Sequence, residues 1–137
     1  MANTTFHAAV GAKIAALVPG PLGIILAFFS HFICDFFPEA FKDIGPWYII
    51  AEGLLFAASV ALVFLFGVNP WWMFFGALAA NIPDIIDAIV MKVKKKNFFF
   101  CHPKPRYTTL GFEFQTWGLH PLANLAVDIL VVLVLLG

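Results

Sequence analysis

The chain alternates long apolar runs with short polar or proline-rich breaks, and the runs have helical rather than strand length. Residues 22–37, 46–68, 71–91 and 119–136 are almost wholly apolar. Several of these runs approach the roughly 20 residues that a helix needs to cross a hydrocarbon layer. A shorter run, 8–18, carries Lys13 and stops at Pro19-Gly20-Pro21, which leaves a spanning, a re-entrant and an interfacial helix open for it. Pro38 closes the second run, and Asn69-Pro70 makes a tight turn between the third and fourth. The pattern predicts an all-α polytopic transmembrane bundle of four to five membrane helices, in a single integral membrane domain over 1–137.

Composition supports this. Hydrophobic residues make up 62% of the chain and charged residues 12%, about half the charged share of an ordinary soluble domain. The segment Met1 to Phe6 lacks the basic start, apolar core and small-residue cleavage site of a secretory signal peptide, so the helices are expected to insert by themselves. Cys34 and Cys101 are too few, and too differently placed, for a disulfide framework; both are expected to be reduced.

Net charge is zero, but Lys92, Lys94, Lys95, Lys96, Lys104 and Arg106 crowd into one stretch between the fourth and fifth helices. The positive-inside rule puts that stretch in the cytoplasm, and the expected location is a bacterial inner (plasma) membrane. With Phe98, Phe99 and Phe100 the stretch reads as a membrane-surface anchor, or as a means of capturing anionic lipid headgroups through Lys92, Lys94, Lys95 and Lys96. Trp47, Trp71, Trp72 and Trp117 are expected at the interfaces. Membrane lipid is the expected partner and nucleic acid is not; a homo-oligomer or a larger membrane complex is compatible with so apolar a surface.

Ionisable groups inside the apolar runs are costly, by at least about 2.5 kcal/mol for an aspartate at a helix centre, and should therefore face one another or a wet cavity. At about 1.5 Å of rise per residue, His31, Asp35, Glu52, Asp84 and Asp87 all fall about 5 to 12 Å from the cytoplasmic ends of their helices. His7 and His120 open helices at the same face, and Asp128 lies deeper. His31 and Asp35, spaced i, i+4, share a helix face, as do Asp84 and Asp87 at i, i+3. His120, Asn124 and Asp128 form a third stripe. Four carboxylates with three histidines make a mixed nitrogen and oxygen set that suits zinc, manganese or iron, with enough groups for one or two divalent ions. The alternatives are a hydrogen-bonded structural pair for His31 and Asp35, a helix-initiating carboxylate after Pro83 for Asp84, and a protonated carboxyl for Glu52. Cys101-His102 has no second close pair to complete a zinc site. No phosphate-cradling Gly-rich loop or nucleophile elbow is present.

His7, the string Ser30-His31-Phe32-Ile33-Cys34-Asp35, and the run from Gly76 to Asp87 ending Asn81-Ile82-Pro83-Asp84-Ile85-Ile86-Asp87 resemble the bacterial membrane-bound metal-dependent hydrolases. That group includes the LexA-binding inner-membrane hydrolases. The order of the two motifs and the spacing of the last two aspartates depart from the family pattern, and His120 stands in for its Thr-His element. The resemblance implies a membrane hydrolase with His7, His31, Asp35, Asp84 and Asp87 as metal ligands and His120 as a further one. Glu52 is expected to be catalytic, as a general base or additional ligand, and the lysines to steer a phosphoester or lipid-linked substrate at the cytoplasmic face. Two other readings stand beside the enzyme: a small non-enzymatic subunit or scaffold of a membrane complex, and an ion or proton pathway that uses Asp128.

Overall fold

A computed structural model describes residues 4–35, 46–94 and 121–136. Within them the chain forms five helices and no strand: α1 (Thr4–Leu17), α2 (Pro21–Cys34), α3 (Pro46–Phe66), α4 (Pro70–Lys94) and α5 (Pro121–Leu136). Four of the five begin at proline, whose missing N–H is no loss at the first helical position and whose fixed φ suits it. Gly20, at φ +113°, makes the turn from α1 into α2 in a backbone region that side-chain-bearing residues avoid. His120, Cys101, His102, Trp117, Phe98 to Phe100 and the basic residues Lys95, Lys96, Lys104 and Arg106 lie outside the described residues.

The short first helix is the hub, touching all four others and packing most extensively on α4. It is already helical at Thr4, ahead of the apolar run, and an amide of its first described turn is served from another part of the chain. The Thr5 backbone N–H donates to Glu52 Oε1 at 2.9 Å, so a carboxylate on α3 caps a helix end whose dipole favours negative charge. His7 consequently lies inside the helix, one turn in, and is 1% exposed.

Small residues let α1 and α4 approach closely. Gly11 and Ala15 on α1 face Gly76 and Ala80 on α4, an i, i+4 pair of small side chains on each helix. A Cβ added at Gly11 would run into the Gly76 carbonyl oxygen and sit 2.6 Å from the Ala80 Cβ, so the helices meet backbone to backbone.

Burial is inverted relative to a water-soluble bundle. On α2 the inward face carries Gly23, Ala27, Ser30, His31 and Cys34, while Leu22, Ile25, Phe29 and Ile33 are exposed. On α5, Asn124, Asp128 and Val132 point inward at i, i+4, i+8, and Leu122, Leu130, Leu133 and Val134 point out. The interior holds mostly alanine and polar side chains; the large aliphatic and aromatic groups cover the outside. Buried polar groups find local partners where they can. The Ser30 and Ser59 hydroxyls donate to the carbonyls of Ala27 and Leu55, and Asn81 Nδ2 donates to that of Ala77.

Among the described residues one helix, Pro70–Lys94, is long and apolar enough to cross a membrane; Pro21–Cys34, Ile50–Phe66 and Leu122–Leu136 are shorter apolar helices. At 14 residues, α1 is about 21 Å long.

Candidate metal centre

Three helices bring His7, His31, Asp35 and Asp84 to one point. The tight α1–α4 contact sets the distance between His7, one turn before Gly11, and Asp84, one turn after Ala80. The last turn of α2 supplies His31, and Asp35 is the residue that caps the helix. All four residues are buried.

His7 Nε2 lies 3.3 Å from Asp35 Oδ1, and His31 Nε2 lies 3.2 Å from Asp35 Oδ2 and 3.9 Å from Asp84 Oδ1. The two imidazoles stack, with ring centroids 4.2 Å apart and planes at 26°. Asp35 therefore bridges the histidine pair, and Asp84 approaches it from α4.

The far side of the His31 ring fixes its chemistry. Its Nδ1 is 2.7 Å from the Ala80 carbonyl oxygen, which can only accept, so Nδ1 carries the proton. Pro83 is buried inside α4, where its missing amide leaves the Ala79 carbonyl without a helical donor and its ring crowds the turn that holds Ala80. A backbone carbonyl on Nδ1 is the usual device for orienting a metal-binding histidine with its Nε2 lone pair forward. Here Nε2 points at carboxylate oxygens, which are themselves acceptors. An imidazolium would reconcile that arrangement for one ring. Two imidazolium charges stacked at this distance would repel by about 4 kcal/mol at an effective dielectric of 20. A divalent ion shared by neutral rings and carboxylates removes both conflicts.

The donor set fits such an ion. His7, His31 and Asp84 each offer one ligand atom, all within 4.8 Å of one another and all buried. Two donors on one ion with bonds of about 2.1 Å can stand no more than about 4.2 Å apart, so loading requires at most a modest contraction.

The other residues expected at the site lie elsewhere or extend it. Asp87 is buried one turn beyond Asp84 on the same helix but is not part of the three-residue group. Glu52 joins a second polar cluster. Besides the Thr5 amide on its Oε1, its backbone carbonyl lies 3.4 Å from the Thr5 hydroxyl. Asp128, which helical rise set apart from the others, stands within hydrogen-bonding reach of Glu52 and close enough to His7 for charge to act between them. Asn124 Nδ2 donates to Asp128 Oδ2 at 2.8 Å and to the Tyr48 hydroxyl at 2.7 Å.

Sequence reasoning did not give Tyr48 a place in this cluster, because a tyrosine at the third position of an apolar helix carries no local sign of a partner 76 residues away. The i, i+4, i+8 stripe that contains Asn124 and Asp128 was the available signal for the rest.

Comparison of the chain with protein-family models, with curated proteins and with solved structures gives no match.

Proposed function

We propose that the chain is an integral membrane, metal-dependent hydrolase that acts near the cytoplasmic face on a phosphoester or lipid-linked substrate. The observation that carries this reading is the convergence of two stacked histidines and two carboxylates, with His31 held by Ala80 in the tautomer that presents Nε2 to a metal. A divalent ion bound there would supply a Lewis acid able to polarise a phosphoryl oxygen and acidify water.

The chain's own residues have separable tasks. His7, His31 and Asp84 would hold the ion, and Asp35, against both Nε2 atoms, would be a further ligand or the group that orients the rings. Asp87 would add negative charge from the next turn of α4. Lys92 and Lys94, exposed at the end of that helix, would attract an anionic substrate.

The membrane reading rests on the inverted burial. A contiguous apolar exterior over a polar interior is unfavourable in water and suits hydrocarbon, where polar side chains turn toward one another. The one long apolar helix and three shorter ones would then be spans, with α1 enclosed among them.

The test is the metal content of the full chain purified in mild detergent. One or more equivalents of a divalent ion are expected, depleted in both His31→Ala and Asp84→Ala. No stoichiometric ion, or unchanged occupancy in those variants, would sink the proposal and leave the polar core as the hydrogen-bonded interior of a non-enzymatic membrane subunit.

A further inference from the structure

Glu52 and Asp128 pose an electrostatic problem that the histidine centre does not solve. Both are buried, at 6% and 0% exposure, and their carboxyls are within hydrogen-bonding reach of each other. One oxygen of each is already held: Glu52 Oε1 by the Thr5 amide at 2.9 Å, and Asp128 Oδ2 by Asn124 Nδ2 at 2.8 Å. The other two, Glu52 Oε2 and Asp128 Oδ1, receive no hydrogen bond from any described residue. Two neighbouring buried carboxyls thus each keep one oxygen for a ligand while a hydrogen bond steadies the other, the kind of support that orients carboxylate ligands.

Charge counting leads the same way. Among the described residues the interior holds five carboxylates, on Asp35, Glu52, Asp84, Asp87 and Asp128, and its basic side chains are those of His7 and His31. A single divalent ion at the histidine centre leaves three carboxylate charges; a second leaves one.

We infer that Glu52 and Asp128 form a second cation site, built of oxygen donors alone, beside the histidine centre and next to His7. Its chemistry selects a hard divalent ion of the Mg²⁺ class, which binds through one or two carboxylates and completes its shell with water or substrate phosphate. The histidine centre, with nitrogen donors, suits a softer ion such as zinc. The inference borrows from the proposed hydrolase only the charge of the first ion; the oxygen pair and its unserved atoms stand independently of it. If both readings hold, the substrate class narrows to phosphoesters, because a carboxylate-held hard ion leaves positions that phosphate oxygens fill.

Mn²⁺, which mimics Mg²⁺ and is visible by electron paramagnetic resonance, is the probe. The full chain in detergent, stripped with chelator and titrated with Mn²⁺, is expected to show two classes of bound ion. Glu52→Gln and Asp128→Asn keep the side-chain shapes and the outer hydrogen-bond acceptors, and each is expected to weaken one class at least tenfold while leaving the other. His31→Ala is expected to show the reverse pattern. Thermal melting and size-exclusion profiles check that each variant is folded, and two conservative variants on different helices guard against one failing to fold.

The proposal is overturned if Mn²⁺ binding in Glu52→Gln and Asp128→Asn matches wild type, which would make the two carboxyls a proton-sharing pair. It is equally overturned if His31→Ala abolishes both classes. Loss of the His31-dependent class alone from the wild-type profile would remove the hydrolase reading and leave this one standing.

Discussion

Replacing Gly11 with alanine adds one methyl group where α1 and α4 have no room for it. The new Cβ would lie 2.6 Å from the Ala80 Cβ and on top of the Gly76 carbonyl oxygen. Carbon atoms pack at about 3.5–4.0 Å, so the helices must separate by about 1 Å. None of the obstructing atoms belongs to a flexible side-chain end that could swing aside. Overpacking of this kind costs about 1–3 kcal/mol. The gain in helix propensity from glycine to alanine, about 1 kcal/mol, offsets part of that in overall stability but none of it at the site. His7 lies one turn before Gly11 and Asp84 one turn after Ala80, so the ligand group, which spans at most 4.8 Å, opens with the helices. Binding an ion then has to push them back together. At about 1.4 kcal/mol per factor of ten, Gly11→Ala should bind divalent metal about tenfold to a hundredfold more weakly while its melting midpoint moves little. Calorimetric or spectroscopic metal titration of the detergent-solubilised variant, run beside a melting curve, makes the comparison. An unchanged affinity would refute the claim that this backbone contact sets the spacing of the site.

Other perturbations have equally definite outcomes. Chelation should lower the melting midpoint and re-addition of the ion restore it, because an ion at a hundredfold excess over its dissociation constant contributes about 2.7 kcal/mol; identical midpoints would mean that no ion is bound in the folded state. Asn124→Ala removes the donor shared by Tyr48 and Asp128 and should cost about 1–3 kcal/mol, read as a lowered melting midpoint. Leu130→Asp places a charge on the outward face of α5. In lipid this costs at least about 2.5 kcal/mol and should reduce the yield recovered in carbonate-washed membranes, whereas a water-exposed position would tolerate it within about 0.5 kcal/mol.

The helix count and most boundaries were legible from short-range signals. Proline at the first helical position and the length of each apolar run are local properties, and α2, α3, α4 and α5 begin within two or three residues of where the pattern puts them. That Thr4 and Thr5 belong to α1 was not legible, because they look like a polar flank. Their support comes from Glu52, 47 residues away, which accepts the Thr5 amide. The site was legible in part for a similar reason. Helical rise put His31, Asp35 and Asp84 at comparable depth, and the structure brings them together with His7. The rise along a single helix could not show that Asp128 meets Glu52, since that depends on how α5 is set against α3. The small-residue pairs Gly11 and Ala15, Gly76 and Ala80 were written in the sequence with the spacing that close helix crossings use, but spacing alone does not name the partner helix.

The central position of α1 bears on how such a protein is made. This helix leaves the ribosome before the four helices that surround it, yet its sides are lined by Thr5, His7, Ala8, Ala12 and Gly11, which are buried against neighbours not yet synthesised. Its main partner, α4, begins more than fifty residues later, and α5, which brings Asn124 and Asp128, comes last. Until then, little of α1 suits it to remain in lipid alone. The first of these five helices to emerge is thus among the last to be seated, and the side chains from α1, α2 and α4 meet only at that point. A metal held by His7, His31 and Asp84 would therefore be captured only once α4 is in place, and a chain stalled before that helix would carry the two histidines without their carboxylate partner.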